Sequence, residues 1–272
     1  MATVSVDGSS ATPRVVLITG AASGLGWALT QQCHARGDDV VLVDRDVTGL
    51  ASRVAALGGT RCQAIPCDLT VADARDELAA RIHAEVGRLD VLIHNAGITH
   101  RSPAKRTDPA VIRQVMEVNY HAPVALTHAL LPLLHASHGS LVAVSSMAGW
   151  MPVPGRAGYG ASKAALTQYF EVLRFELERD GVHVLTVHPS FLETPIEQHA
   201  LGADGSPAWH ARSTVGRIRS ADWQAGEILA AIDARRAMTP MERLPEFGAL
   251  LWRVFPWLYR RQMRTRFGGE LD

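Results

Sequence analysis

Short apolar runs alternate with longer stretches of helical periodicity along most of this 272-residue chain. The short runs are rich in Val, Ile and Leu and are bounded by turn residues, which is typical of strands buried on both faces of a sheet. They predict strands at Val15–Thr19, Val40–Val43, Cys62–Pro66, Val91–Ile93, Ser140–Val144 and Val182–Val187.

The stretches between these runs predict helices, several of which end near a glycine. Their ranges are Trp27–Arg36, Leu50–Leu57, Ala72–Val86, Pro109–Leu134 and Ala161–Arg179, the fourth of them kinked at Pro123. Strand and helix alternate at every step, and crossovers between parallel strands are right-handed. The predicted fold class is therefore α/β, a doubly wound (Rossmann-type) parallel sheet with helices on both faces.

The two ends of the chain depart from this alternation. Residues 1–13 are small and polar, without the basic start and apolar run of a secretory signal, and we expect a flexible leader there. Residues 14–240 are predicted to form one domain, which has a loop-like segment at about 190–220. Residues 241–272 are predicted to form an amphipathic C-terminal extension.

Composition narrows the classes of protein to consider. Lys plus Arg and Asp plus Glu both number 27, so the formal net charge is zero and gives no support for nucleic-acid binding. No apolar run approaches the roughly 18 residues of a membrane-spanning helix. Three irregularly spaced cysteines favour free thiols in a reducing compartment, hence a cytoplasmic location. The histidines lack metal-ligand spacing, so no metal is expected.

A glycine-rich turn, Thr19–Gly26, lies between the first strand and the first helix. Glycines at such a turn let the backbone approach a pyrophosphate at the helix N-terminus. Asp44 ends the second strand 24 residues after Gly20, near the spacing at which a carboxylate binds an adenosine ribose. This combination predicts a dinucleotide site.

Further motifs follow in the order typical of one family. The turn reads T-G-x-x-x-G-x-G, the segment His94–Gly97 reads H-N-A-G, and Tyr159–Lys163 reads Y-x-x-x-K. From about Arg14 to Pro195 the sequence thus resembles the short-chain dehydrogenase/reductase family. The resemblance implies a Rossmann-fold, NAD(P)-dependent oxidoreductase. Two positions depart from the family pattern, because His94 replaces the first Asn of N-N-A-G and Ser190 replaces the Gly of P-G.

The resemblance also implies roles for individual residues. The implied catalytic residues are Asn119, Ser146, Tyr159 and Lys163. The implied cofactor-binding residues are Gly20, Ser23, Gly24, Leu25, Gly26, Asp44, Arg45, Asp68, Leu69, Asn95, Ala96, Gly97, Tyr159, Lys163, Pro189, Leu192 and Thr194.

The chemistry expected of these residues is proton transfer coupled to hydride transfer. Tyr159 and Lys163 are four residues apart and share one helix face, so the ammonium is expected to lower the tyrosine pKa. Tyr159 then exchanges a proton with an alcohol or ketone, and Ser146 hydrogen-bonds the substrate oxygen. By resemblance, Asn119 holds a water that links Lys163 to solvent.

The choice between the two nicotinamide cofactors depends on the end of the second strand. The Asp44 carboxylate suits a 2′-hydroxyl and repels a 2′-phosphate, and Ser23 supplies no positive charge. Both features favour NAD. Arg45 could pair with a phosphate, so NADP stays an alternative.

The expected substrate is a small hydrophobic secondary alcohol or ketone. The candidate pocket residues are Trp150, Met151, Val153, Phe191, Leu192, Ile196, His199, Leu201 and Trp209. Two alternatives remain open, namely a membrane-surface-associated steroid- or lipid-type dehydrogenase and a non-catalytic nucleotide-binding member of the fold. The resemblance implies a homodimer or homotetramer.

The C-terminal extension carries an apolar stripe at helical spacing and several arginines. The stripe comprises Phe247, Leu250, Leu251, Val254, Phe255 and Leu258, and the arginines are Arg253, Arg260, Arg261, Arg264 and Arg266. Such a segment could lie on an anionic membrane, cover the active site or dock on another subunit. Docking on protein is favoured, because Glu246 and Glu270 interrupt the basic residues and Pro256 breaks the stripe.

Overall fold

The computed structural model describes residues 12–208, 216–240 and 242–268. Its main sheet has six parallel strands in the order β3-β2-β1-β4-β5-β6. The strands are β1 Val15–Thr19, β2 Asp39–Asp44, β3 Cys62–Pro66, β4 Val91–His94, β5 Ser140–Val144 and β6 His183–Val187. This topology confirms the predicted fold class. The strand order reverses between β1 and β4, where sheets of this kind bind ligands at the carboxyl ends of their strands.

Helices cover both faces of the sheet. They are α1 Gly24–Ala35, α2 Val47–Ala56, α3 Ala72–Arg81, α4 Pro109–Met116, α5 Ala122–Ser137, α6 Ala157–Leu177, α7 Ala221–Asp233, α8 Arg243–Val254 and α9 Pro256–Arg266. The predicted start of α6 at Ala161 is wrong by a turn, so that Tyr159 lies inside the helix.

Alternation along each strand divides the core into two layers. Leu17 of β1 points to the layer formed by α3, α5 and α6, where it shares a cluster with Leu130 and Phe170. Its neighbours Val16 and Ile18 point to the opposite layer, which contains Leu29 of α1 and Ile228 of α7. Both faces of each strand are therefore buried, which explains why the strands are continuous apolar runs in the sequence.

The long helix predicted over 109–134 is wrong as a single element. A π-helical turn, Glu117–His121, separates α4 from α5, and Asn119 is its central residue. Pro123 has no N–H and cannot donate a hydrogen bond to the carbonyl four residues earlier, which favours an irregular turn at this point. The interruption thus lies just before the predicted kink and carries a residue of the candidate site.

The segment predicted as loop-like contains two short strands. β7 Phe191–Glu193 and β8 Ile218–Ser220 pair in parallel to form a second, two-stranded sheet. Strands of three residues are too short to leave a periodic pattern in the sequence. Trp209, a predicted pocket residue, lies outside the described residues.

The C-terminal extension docks on the main domain through one side of each helix. α8 ends at Val254 and α9 begins at Pro256, so Pro256 separates two helices as its missing N–H dictates. Leu251, Tyr259 and Phe267 are buried, and the Tyr259 hydroxyl donates to the Pro152 carbonyl at 2.9 Å. No helix in the described part of the chain is long and apolar enough to cross a membrane.

His94, the departure from the family motif at the end of β4, is a packing residue. Its Nε2 lies 2.8 Å from Thr127 Oγ1 and its ring meets Phe170 edge-on, with 5.6 Å between centroids. Complete burial lowers its pKa from 6.5 to about 3. The folded protein therefore holds His94 neutral at pH values where the unfolded chain is protonated.

We predict that His94→Asn flattens the pH dependence of stability. Between about pH 6.5 and pH 4 the unfolded state binds a proton that the folded state does not, so the free energy of unfolding falls as the pH falls. Removing this group should reduce that slope by up to about 1.4 kcal/mol per pH unit. Urea titrations across this pH range measure it, with exposed His121→Asn as control; equal slopes in all three proteins would contradict the assignment.

Candidate active site

One cavity of about 780 Å³ runs along the carboxyl edge of the sheet. One end lies at Asp44 and Asp68, and the other at Tyr159 and the C-terminal helices. This is the position at which a doubly wound sheet binds dinucleotides. The same space must accommodate a cofactor and a substrate, and its walls come from segments far apart in sequence.

The glycine turn packs tightly against the segment that follows β4. Gly20 has φ +67°, and a Cβ built on it would lie 2.9 Å from Ala96 Cα. A Cβ on Gly26 would lie 2.0 Å from the Gly20 carbonyl oxygen. Asn95 fastens the two segments by donating from Nδ2 to the Thr19 carbonyl at 3.0 Å. The turn therefore tolerates no side chains at Gly20 and Gly26. Its backbone at the start of α1, which we call the cradle, fits a pyrophosphate.

The far end of the cavity is acidic with arginines beside it. Asp44 accepts hydrogen bonds from the backbone N–H of Ala22 at 3.0 Å and of Asp46 at 3.1 Å. Asp68 accepts from the backbone and hydroxyl of Thr70, which lower the pKa of its carboxyl. Exposed Arg45 lines the same end. Two carboxylates thus face the position expected for the adenosine.

Ser146, Tyr159 and Lys163 meet at the other end of the cavity. Ser146 follows β5, and Tyr159 and Lys163 lie in the first two turns of α6. The Lys163 ammonium donates to the Val144 carbonyl at 2.8 Å and lies 6.0 Å from the centre of the Tyr159 ring. All three line the cavity, so the sequence-predicted serine, tyrosine and lysine are brought together.

Burial dominates the electrostatics of this group. It raises the pKa of Tyr159, and the Ser146 hydroxyl and the Arg156 guanidinium oppose that shift. It also lowers the pKa of Lys163 to about 8. The expected net lowering of the tyrosine pKa is therefore wrong for this structure, because loss of hydration outweighs the neighbouring charges. Tyr159 is held as a neutral phenol that can donate its proton.

Asn119 is fully buried and makes three hydrogen bonds. Its Nδ2 donates to the Ile98 carbonyl and to the Ser162 hydroxyl, both at 2.9 Å, and its Oδ1 accepts from the Ile98 N–H at 2.9 Å. A Cβ built on Gly97 would lie 3.3 Å from this Oδ1 and 3.4 Å from Lys163 Nζ. Asn119 therefore supports the segment beside Lys163, and Gly97 keeps the space between them free of a side chain.

A buried ion cluster lies next to Tyr159. The Glu197 carboxylate pairs with Arg101 and, at 3.5 Å, with Arg156. Arg156 immediately precedes α6, whereas Glu197 belongs to the short helical turn after β7. The cluster ties the substrate-loop segment to the start of the helix that carries Tyr159. Its two cavity-lining charges act oppositely on the tyrosine, because Arg156 lowers its pKa and Glu197 raises it.

The structure places nearly all predicted site residues on this cavity. Among the predicted catalytic and cofactor residues, Gly26 and Asn119 do not line it, since both pack behind its wall. Of the predicted pocket residues, Leu201 and Trp150 do not line it either. Trp150 packs instead against His188, with 4.7 Å between ring centroids. The remaining described pocket candidates line the cavity as predicted; they are Met151, Val153, Phe191, Leu192, Ile196 and His199.

Sequence reasoning missed several cavity residues. Arg53 reaches the acidic end, where its Nε donates to the Ala22 carbonyl at 2.9 Å. Arg156 and Glu197 form the ion cluster, and Tyr259 and Phe267 bring α9 to the substrate end. No local pattern could reveal these residues, because each depends on a contact between distant segments. Among the described residues, no group of three or more His, Cys, Asp or Glu could hold a metal ion.

Comparison with known proteins agrees with this geometry. A family model described as short chain dehydrogenase matches residues 14–203. Dehydrogenase/reductase SDR family member 7B of Bos taurus is 36% identical over 266 residues, covering 94% of this chain and 82% of the bovine protein. An 11-beta-hydroxysteroid dehydrogenase A of Sesamum indicum is 34% identical over 189 residues, covering 68% of this chain and 54% of that protein.

A solved structure that contains a nicotinamide cofactor shares the fold. The short-chain dehydrogenase from Sphingobium yanoikuyae, solved in complex with NADPH, superposes with a TM-score of 0.76 at 28% identity. The match covers 90% of this chain and 95% of that one. A nicotinamide dinucleotide is accordingly the cofactor that the cradle described above fits.

We predict that Glu197→Gln shifts the titration of Tyr159 to lower pH. The substitution removes the negative charge that opposes phenolate formation and leaves Arg156, which favours it. Tyrosinate absorbance measures the shift when each protein is compared with its Tyr159→Phe counterpart. Exposed Glu193→Gln on the same segment is the matched control. An unchanged Tyr159 midpoint in Glu197→Gln would show that the cluster does not act on the tyrosine.

Proposed function

Because the chain belongs to the short-chain dehydrogenase family, we propose that this oxidoreductase interconverts a secondary alcohol and its ketone with NAD(P). The observation that carries the proposal is the convergence of Ser146, Tyr159 and Lys163 at one end of a cavity whose other end is a dinucleotide cradle. A non-catalytic nucleotide-binding protein would have no need of a buried lysine beside a buried tyrosine, since burying both groups disfavours their charged forms.

The nicotinamide, when bound, supplies a hydride to the ketone or accepts one from the alcohol. The neutral Tyr159 donates its proton to the forming alkoxide during reduction and takes it back during oxidation. The Ser146 hydroxyl hydrogen-bonds the same substrate oxygen. A protonated Lys163 favours the phenolate that remains. Asn119 and Gly97 border the space next to Lys163, through which we propose that the proton returns to solvent.

The substrate end of the cavity favours a hydrophobic molecule. Its walls are largely apolar and come from two regions, with Met151, Val153 and Ile196 on the main domain and Leu251 and Phe267 on the C-terminal helices. The name of the sesame relative, an 11-beta-hydroxysteroid dehydrogenase, points in the same direction. A steroid- or lipid-type alcohol is therefore the second candidate, favoured by the apolar cover that α8 and α9 provide.

The acidic end of the cavity bears on the choice between NAD and NADP. We propose NAD as the preferred cofactor, because Asp44 lines the adenosine end and its carboxylate suits a ribose hydroxyl. NADP is the alternative, supported by Arg45 and Arg53 at the same end. A homodimer or homotetramer is proposed from the family resemblance, and a cytoplasmic location from the three free cysteines. Val172 and Phe175, exposed on α6, suit contact with another copy.

Replacement of Tyr159 by Phe tests the proposed reaction. The change keeps the ring and removes the hydroxyl that transfers the proton, so turnover should fall by about 100- to 10,000-fold. Nicotinamide absorbance with a panel of hydrophobic secondary alcohols and ketones measures turnover, and fluorescence titration checks that the cofactor still binds. Tyr169→Phe, whose hydroxyl contacts His128 outside the cavity, is the control. Turnover close to that of the unaltered protein would exclude Tyr159 as the acid–base group.

Replacement of Asp44 by Ala tests the proposed cofactor preference. Removal of the carboxylate should weaken NAD binding and relieve repulsion of a 2′-phosphate, leaving Arg45 and Arg53 to attract it. The ratio of kcat/KM for NAD to that for NADP should therefore fall. Asp39→Ala, at the opposite end of the same strand, is the control. A preference for NADP in the unaltered protein would show that the arginines outweigh Asp44.

A further inference from the structure

The C-terminal helices carry large apolar side chains that the main domain covers only in part. Six of the eleven large apolar side chains exposed in the described chain lie between Leu244 and Trp257. We call them the apolar patch; they are Leu244, Phe247, Leu250, Val254, Phe255 and Trp257, each between 50% and 63% exposed. Contiguous exposed apolar side chains of this size are typical of a surface that binds a partner or a membrane.

Helical spacing places the α8 members of the patch on one side. Leu244, Phe247, Leu250 and Val254 recur at intervals of three or four residues, so they form a stripe along the helix. Buried Leu251 lies within the same stripe, four residues after Phe247, so the apolar side of α8 is also the side that meets the main domain. Docking covers this stripe only in part, because Leu251 is buried whereas the four patch residues on α8 are each at least half exposed.

The solvent face of α9 combines one aromatic residue with positive charge. Trp257, Arg260, Arg261 and Arg264 are exposed and lie on the side opposite buried Tyr259. Residues 242–268 contain six arginines and two glutamates, a formal net charge of +4 in a chain whose total is zero. Large apolar and aromatic side chains beside arginines are typical of helices that lie in an anionic lipid interface.

The patch borders the substrate end of the cavity. Leu244 and Phe247 line the cavity, and their side chains are also 50% and 58% exposed to solvent. They therefore lie at the rim of the cavity. A surface that covered the patch would adjoin the cavity opening. A hydrophobic substrate dissolved in lipid would then enter without crossing water.

From these observations we propose that α8 and α9 dock the protein peripherally on an anionic lipid surface, with the cavity opening toward that surface. The apolar patch would enter the acyl boundary, and Arg261 and Arg264 would contact lipid phosphates. A second copy of the chain fits this face less well. In a two-fold contact the same surface meets itself, so like-charged arginines would face one another. The proposal concerns binding and does not depend on the proposed reaction.

Vesicle co-sedimentation of the full chain tests the proposal without any enzyme assay. The unaltered protein should bind vesicles of phosphatidylcholine mixed with phosphatidylglycerol, and binding should weaken as salt is added. It should bind phosphatidylcholine vesicles far less. Arg261→Gln with Arg264→Gln should lower the partition coefficient by about 30-fold, from roughly 1 kcal/mol for each arginine near the surface. The exposed pair Arg113→Gln with Arg179→Gln is the matched control.

Apolar substitutions separate lipid docking from simple charge attraction. Leu250→Ser with Trp257→Ser alters the patch without touching a cavity residue and should also abolish sedimentation with anionic vesicles. Val47→Ser with Val71→Ser, two exposed apolar residues away from the patch, should leave it unchanged. Light scattering with size exclusion on the same proteins measures the oligomeric state. An unaltered protein that ignores anionic vesicles overturns the proposal, and so does a patch variant that changes only the oligomeric state.

Discussion

The site depends on the junction between the end of β5 and the start of α6. Lys163 donates from Nζ to the Val144 carbonyl at 2.8 Å, and the Ser145 hydroxyl donates back to the Lys163 carbonyl at 3.0 Å. These two bonds fix the helix that carries Tyr159 against the strand that leads to Ser146. Because the lysine is buried, loss of its bond to the Val144 carbonyl would leave an unsatisfied polar group, at roughly 1–3 kcal/mol.

Burial at this junction also determines the protonation of Tyr159 and Lys163. The same exclusion of water that strengthens the hydrogen bonds raises the pKa of Tyr159 and lowers that of Lys163 to about 8. Charge from outside the junction then adjusts the tyrosine, since Arg156 and Glu197 act on it in opposite directions. The ion cluster that ties Glu197 to the start of α6 is thus also part of the electrostatic environment of Tyr159.

The C-terminal helices extend the same cavity on its open side. Their inner face closes the substrate end through Leu251, Tyr259 and Phe267, and the Tyr259 hydroxyl anchors α9 to the Pro152 carbonyl. The partly covered apolar patch and the arginines of α9 remain in solvent. One short segment therefore completes a hydrophobic pocket and presents the surface that we propose for lipid docking. Both features agree with a hydrophobic substrate.

The sequence by itself determined the sheet and the glycine turn, and its resemblance to the family indicated the serine, tyrosine and lysine. Buried strands leave continuous apolar runs, and Gly20 and Gly26 occupy positions where no side chain fits, so both are visible as local patterns. The spacing of Tyr159 and Lys163 likewise implies a shared helix face.

Only the tertiary structure decided the rest. The π-helical turn at Asn119, the cluster of Glu197 with Arg101 and Arg156, and the burial or exposure of each residue of α8 and α9 all depend on contacts between distant segments. It also decided the direction of the Tyr159 pKa shift. The sequence showed that a lysine is near, but the pKa depends on how much water the fold excludes, and exclusion of water is a property of the packed chain.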